Sequence, residues 1–286
     1  MGDKVKYKTL LIDGPYLSHR AHTAPYKLTT SKGLDSKMIH NFMRSFLAVY
    51  KKFKPESIGI CWESHGTPSW RRLMYSDYKP QGTIDPDYLD QLNDLRLLLH
   101  LLKIKQFYAP GNEADDVICT LATKYTKVES VLIFTIDKDM MQLITSDFPP
   151  VHMYDGKQVV DETKVYNKFG VFPYQICDYL ALVGDKVDNV PGVMGIGEKK
   201  AVKLLKEYDN IESIPTDIFP NNSESIKEAN RAKKLVTLNC EAQVRSVFDS
   251  SFTTQKTIDE ILDKYELNSI KDNIEKYKEI SGEKWF

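Results

Sequence analysis

No stretch of this chain is long and apolar enough to span a bilayer. The most hydrophobic runs, such as Val131-Leu132-Ile133-Phe134, fall far short of the ~20 residues a membrane helix needs. Met1 to Lys8 is polar and leads straight into an apolar run, so no secretion signal is expected. Low-complexity tracts and internal repeats are also missing, which leaves an ordinary globular protein. Cysteine is scarce: Cys61, Cys119, Cys177 and Cys240 are scattered and lack metal-type spacing. They read as reduced core thiols of a cytoplasmic protein. None of the six histidines falls in the motifs described below, which gives a histidine general base little support. An excess of one charge is missing too, since the net charge is −1.

What the chain does have is carboxylates in particular places. Gly111-Asn112-Glu113-Ala114-Asp115-Asp116-Val117 puts three acids within four residues, directly before an apolar helical run. Glu113 and Asp116 stand three apart and so share one helical face. An acidic first turn complementing the helix dipole explains this stretch equally well on its own. Other isolated acids shift the balance. Thr9-Leu10-Leu11-Ile12 reads as a buried strand ending at Asp13. Ser57 to Trp62 reads as a second strand ending at Glu63, and Val131 to Ile136 as another ending at Asp137-Lys138-Asp139. Helical patterns over 36–53 and 89–102 separate these strands, and a short strand at 106–108 precedes the acidic helix. This alternation predicts a mainly parallel sheet with helices on both faces. Ligands of such sheets gather at the carboxyl ends of the strands, which is where these acids fall.

Val151 to Val160 predicts a hairpin with a type I′ turn at Asp155-Gly156. From Glu162 onward the chain reads as largely helical, with a stop at Gly170 and a restart at Pro173. Gly184-Asp185-Lys186-Val187-Asp188-Asn189 adds two more acids. The candidate site set is therefore Asp13, Glu63, Glu113, Asp115, Asp116, Asp137, Asp139, Asp185 and Asp188. Nine converging carboxylates repel one another unless cations are present. A site of oxygen donors without His or Cys suits Mg²⁺ or Mn²⁺, and paired ions suit phosphodiester hydrolysis. With nine acids withdrawn into one cluster, 39 basic side chains face 31 acidic ones, so a near-neutral total can hide a basic surface of +8. Gly192, Gly195 and Gly197, followed by Lys199 and Lys200, suit close approach of a phosphate backbone; a tight turn is the plain alternative.

These motifs together resemble the 5′ nucleases of the flap-endonuclease superfamily, similar to phage 5′–3′ exonucleases and to the 5′-nuclease domain of bacterial DNA polymerase I. The matching stretches are Ile12-Asp13-Gly14, Gly111 to Asp116, Thr135 to Asp139, Gly184 to Asn189 and Gly192 to Gly197. The resemblance implies a PIN-like α/β nuclease core over 1–170 with a helical arch at about 64–98. It implies a helical DNA-binding part over 171–286, with a helix-two-turn-helix at about 184–208. Two or three Mg²⁺ or Mn²⁺ ions would sit on the acids, and a K⁺ ion on carbonyls of the glycine loop. Arg20, Arg71 and Lys79 match basic positions of the family, Lys79 steering the scissile phosphate, and Tyr78 matches a position for stacking on a base.

Implied partners are DNA with a 5′ flap, nick or free 5′ end, or an RNA–DNA hybrid, for a cytoplasmic monomer of a bacterial cell or phage-infected host acting in replication or repair. No membrane partner is implied. The family has Asp where Glu63 stands, and a longer side chain there reaches a metal directly or through water. Pro80-Gln81-Gly82 replaces a further Arg after Lys79, for which Arg72 can compensate. No polymerase domain is expected after residue 286, and Trp285-Phe286 is expected to pack on the core. Competing readings are primer removal of the RNase H type, a catalytically silent junction binder, and a phosphatase with an aspartyl nucleophile. The last is disfavoured because Pro15 stands where a second Asp is needed.

Overall fold

The computed structural model describes residues 5–64, 66–79, 82, 85–221, 223–248 and 253–280. Along the first part run β1 (Thr9–Asp13), α1 (Gly14–His22), α2 (Lys37–Phe53), β2 (Ser57–Cys61), α3 (Trp70–Met74), α4 (Pro86–Leu101), β3 (Lys105–Tyr108), α5 (Ala114–Tyr125) and β4 (Val131–Phe134). There follow β5 (Val151–Tyr154), β6 (Val159–Val160), α6 (Glu162–Phe169), α7 (Ile176–Val183), β7 (Gly184–Asp185), β8 (Val190–Pro191) and α8 (Glu198–Tyr208). The chain closes with α9 (Ser223–Val236), β9 (Arg245–Ser246), α10 (Ile258–Lys264), α11 (Asn268–Lys271) and α12 (Ile274–Lys278).

Seven strands form one sheet in the order β6-β5-β4-β1-β2-β3-β9; the inner five are parallel and both edges antiparallel. Strand alternation divides the apolar residues between two cores. Leu11, Ile133 and Met153 face α5, α7, α8 and α9 on one side. Leu10, Ile12, Leu132 and Phe134 face α2, α4 and the C-terminal helices on the other. Both sides are covered, so β1, β2 and β4 are buried along their whole length, as continuous apolar runs require.

Three features differ in detail from the expected layout. Beyond the helical part that starts near residue 171, β9 pairs with β3 at the sheet edge and α10–α12 pack into the core around α2 and α4. The last third or so of the expected arch is a core helix: Leu92, Leu95 and Leu98 of α4 are buried, which ties residues 86–98 to the sheet. The hairpin turn is four residues, not two. Asp155 N–H donates to the Gln158 carbonyl (3.2 Å) while its Oδ1 accepts from Lys157 (2.7 Å) and Gln158 (2.8 Å) N–H groups, a side-chain turn that draws Gln158 out of the strand. Gly170 does end α6, at φ 73°. Cys119 and Cys240, 121 residues apart in sequence, meet with their Cα atoms 4.7 Å apart, whereas Cys61 and Cys177 are free. Trp285-Phe286, like Pro80 and Gln81, lies outside the described residues.

Candidate active site

The parallel strands point their carboxyl ends at one place. Asp13 closes β1 and caps α1, accepting the Tyr16 N–H (2.9 Å) and the Thr135 hydroxyl from beyond β4 (2.7 Å). The turn between β1 and α1 can press this closely because residue 14 has no side chain: a Cβ there would lie 2.4 Å from the Trp62 ring. Glu113 caps α5, with Asp115 in that helix's first turn. Asp137 Oδ1 accepts the Asp139 N–H (2.9 Å), and Asp139 opens a 3₁₀ turn over Asp139–Leu143. Asp185 lies on β7, which pairs with β8 to form a small ribbon carrying Asp188 in its turn.

Two acid groups result. Asp13, Glu63, Glu113, Asp115 and Asp137 line a cleft of about 860 Å³, with Arg20, Lys79 and Lys157 among its other walls. Asp139, Asp185 and Asp188 are buried, with one carboxylate oxygen from each within 4.8 Å of the others. Lys79 joins the groups, its Nζ 2.7 Å from Glu113 and 3.5 Å from Asp188. Lys138 lies 2.8 Å from Asp185.

The electrostatics follow from burial and like charge. Burial, aided by repulsion from Asp137 and Glu63, pushes Asp13 up to about 6. Asp115 is pushed well above the usual carboxylate range by burial and then by Asp137. Asp139 is raised in the same way by burial, Asp137, Asp188 and Asp185. Burial also raises Glu63 and Asp188 against the pull of Lys79. Glu113 is the exception: burial opposes its charge, but Lys79 and Arg71 outweigh it and hold the carboxyl low. Asp139 Oδ1 is buried without any hydrogen-bond partner among the described residues.

Several expected site residues have other work. Asp116 is fully buried and faces away from the cleft. Its oxygens accept from Arg71 Nη1 and Nη2 (2.8 Å each), the Asn239 N–H (2.8 Å), Trp70 Nε1 (3.2 Å) and the Glu113 N–H (3.2 Å). Both oxygens are thereby engaged by donors of the protein itself. Arg71 is 2 % exposed and also donates to the carbonyls of Leu235 (2.7 Å) and Thr237 (3.0 Å). Tyr78 is 2 % exposed; its hydroxyl lies 3.1 Å from both Glu113 and Asp188, and its buried ring offers no face to a base. Arg72 is turned to the Lys79 carbonyl. Gly192 is required by close packing, since a Cβ would lie 2.3 Å from the Val183 carbonyl carbon. Gly195 (φ 80°) and Gly197 are exposed, as are Lys199 and Lys200 on α8. Arg20 lines the cleft, donating to the Tyr16 hydroxyl (3.3 Å).

Sequence reasoning missed Thr135 as a partner of Asp13, although it stands two residues before Asp137 in the same acidic stretch. Ser69, which donates to Glu113 (2.8 Å), and Asn239, whose amide N–H holds Asp116, carry no local signal.

Comparison with known proteins gives a consistent picture. Residues 8–170 match the family described as 5′-3′ exonuclease, N-terminal resolvase-like domain, and residues 171–261 match the 5′-3′ exonuclease, C-terminal SAM fold. A 5′-3′ exonuclease of Aquifex aeolicus is 38% identical over 230 residues, 79% of this chain and 78% of that one. A 5′-3′ exonuclease of Mycoplasmopsis pulmonis is 31% identical over 292 residues, covering 97% of each chain. Among solved structures, the D15 flap endonuclease of bacteriophage T5, in a pseudo-enzyme–product complex with DNA and metal ions, has a similar fold. Its TM-score is 0.62 at 18% identity, over 95% of this chain and 96% of that one.

Proposed function

Because this chain belongs to the 5′-3′ exonuclease family, we propose that it hydrolyses phosphodiester bonds near the 5′ end of DNA, as exonuclease and as flap endonuclease, in replication or repair. The observation that carries the reading is the gathering of eight acids at one end of the sheet, several with their pKa raised by burial and mutual repulsion. Such a cluster calls for cations, and the unpartnered buried Oδ1 of Asp139 is a donor atom suited to one. Asp13, Glu63, Glu113, Asp115 and Asp137 would hold ions in the cleft, and Asp139, Asp185 and Asp188 would hold another. Hard oxygen donors favour Mg²⁺ or Mn²⁺, two or three in number. Bound ions of this kind lower the pKa of water and neutralise charge on the transferring phosphoryl oxygens.

The protein's own contribution is placement. Thr135 and the Tyr16 N–H fix the Asp13 carboxylate, and Ser69 and Tyr78 fix Glu113. Lys79 neutralises Glu113 and Asp188 in the free protein and lines the cleft in which a substrate phosphate would lie. Arg20 offers a second cation on the wall formed by α1. Gly195, Gly197, Lys199 and Lys200 supply an exposed edge for a duplex backbone within a DNA-gripping unit that we place at residues 171–244, the nuclease core being 1–170 together with 245–280. The K⁺ proposed for this loop would use carbonyls other than that of Val193, which accepts the Ile196 N–H (3.0 Å).

The proposal extends to the RNA strand of an RNA–DNA hybrid and to action as a monomer in the cytoplasm. Among the described residues no helix is long and apolar enough to cross a membrane. The deciding experiment incubates the protein with a 5′-labelled flapped duplex in Mg²⁺ and in EDTA, beside blunt, hybrid and single-stranded controls. Junction-proximal cleavage that needs Mg²⁺ is expected. Binding without cleavage in Mg²⁺ and in Mn²⁺ would leave a silent junction binder instead.

A further inference from the structure

Two large rings are held in solvent outside the cleft, Phe172 at 46% exposure and Tyr174 at 63%. They take alternate positions in the segment 171–175, whose other residues, Val171, Pro173 and Gln175, are buried. Gln175 pins the segment: its Oε1 accepts the Phe172 N–H (3.1 Å), and its Nε2 donates to the carbonyls of Leu205 (3.0 Å) and Asp209 (2.9 Å). The Tyr174 hydroxyl donates to Asp209 Oδ1 (3.0 Å). Held this way, the Phe172 and Tyr174 rings lie 5° from parallel with centroids 5.9 Å apart. The half-buried Tyr166 of α6 extends the row, its centroid 4.9 Å from that of Phe172. Burial is the ordinary fate of such rings, and displayed together on a fixed turn they form a face for a flat partner.

The charge beside the rings is positive. α8 runs close past the end of α6, since a Cβ on Gly170 would lie 3.1 Å from Val202, and Lys206 Nζ stands 5.6 Å from the Tyr166 ring centroid. Lys199, Lys203 and Lys206 stand at i, i+4 and i+7 and so share one face of α8. All three are exposed, and none forms an ion pair among the described residues. The seven-residue span carries this stripe about 10 Å, from the exposed edge at Gly195 and Gly197 to the rings. Glu207 is turned about 100° round the helix from Lys206, and Asp209 is engaged by the Tyr174 hydroxyl. A partner must therefore offer flat apolar faces and negative charge together. Unpaired nucleotides do so in every unit, whereas an acidic peptide supplies rings only at chosen positions.

We propose that Tyr166, Phe172 and Tyr174 form a stacking platform for unpaired nucleotides, a second nucleic-acid site apart from the cleft. A strand that leaves the duplex held at the N-terminal edge of α8 reaches it along Lys199, Lys203 and Lys206. Its bases lie on the faces of Phe172 and Tyr174 and its phosphates follow the lysines, with no readout of base identity. The inference rests on the nuclease reading for the duplex that delivers the strand.

The test measures binding by anisotropy in EDTA, using a labelled duplex that is either blunt or carries an unpaired extension of about ten nucleotides, the order of length such sites cover. The proteins are wild type, Phe172→Ala/Tyr174→Ala, Tyr174→Phe and Lys203→Ala/Lys206→Ala, with melting curves to confirm that each variant folds. In the wild type the extension is expected to tighten binding about tenfold, the order that one stacked base supplies. Phe172→Ala/Tyr174→Ala should lose that gain while holding the blunt duplex as wild type does, and Tyr174→Phe, which keeps the ring, should retain it. Lys203→Ala/Lys206→Ala should weaken binding of the extended duplex and make its salt dependence shallower. An extension that adds nothing, or adds as much in Phe172→Ala/Tyr174→Ala as in wild type, would overturn the platform and leave the rings to a protein partner. If the wild type binds no duplex, the nuclease reading fails separately, and titration of the labelled single strand alone into wild type and Phe172→Ala/Tyr174→Ala decides the platform.

Discussion

Asp116→Asn separates two roles that the sequence makes look alike. Among the described residues Asp116 is the sole carboxylate hydrogen-bonded to the Arg71 guanidinium, and that guanidinium is 2 % exposed. Neutralising Asp116 leaves Arg71 buried with carbonyls of Leu235 and Thr237 but without its closest counter-charge; Glu113 stands 4.0 Å away. Breaking a buried pair from one side costs about 3–5 kcal/mol. For a chain of this size about 2–4 °C of melting temperature accompanies each kcal/mol, so a fall of roughly 6–20 °C is expected.

The assay is a thermal melt in EDTA, paired with a divalent-ion titration of cleavage measured well below the melt. Asp116→Asn should melt early yet reach half-maximal activity at nearly the wild-type ion concentration. The double replacement Arg71→Met/Asp116→Leu should recover much of the lost stability, because it removes both charges. A variant that melts like wild type but needs far more divalent ion would refute the reasoning and return Asp116 to the ligand set.

Asp13 gives a pH prediction. Its folded pKa, about 6, lies above the unfolded value near 3.8, so between those limits the folded state binds more protons than the unfolded one. In EDTA its contribution to stability is therefore greatest below about pH 4 and lost as pH rises through about 6. Asp13→Asn should flatten that difference in melts between about pH 4 and 7, and a wild type whose profile matches the variant's would count against it. Lys79→Ala removes the cation between Glu113 and Asp188 and should lower kcat by about 10²–10³, as losing a preorganised charge partner does. Duplex affinity measured by anisotropy should hardly change. Lys199→Ala/Lys200→Ala should weaken duplex binding and reduce the slope of log K against log salt by about 0.9 for each phosphate that the two lysines neutralise. An unchanged slope would remove α8 from the DNA path.

The sequence by itself determined the sheet and the general place of the site. Apolar runs at Thr9–Asp13, Ser57–Cys61 and Val131–Phe134, separated by helical periods, admit little except parallel strands, and an acid after each run falls at the carboxyl edge. Those are local properties, written in side-chain spacing. Which acids face the cleft was not local. Asp115 and Asp116 are neighbours in the first turn of one helix, yet one lines the cleft while the other is sealed against Arg71 and Asn239. Arg71 and Tyr78 look like exposed arch residues until α3 is packed against the segment 235–239 and the acids. Only the tertiary structure decided these roles. A carboxylate's neighbours 45 or 123 residues away fix whether its lone pairs are free or spent, and helical spacing carries no record of them.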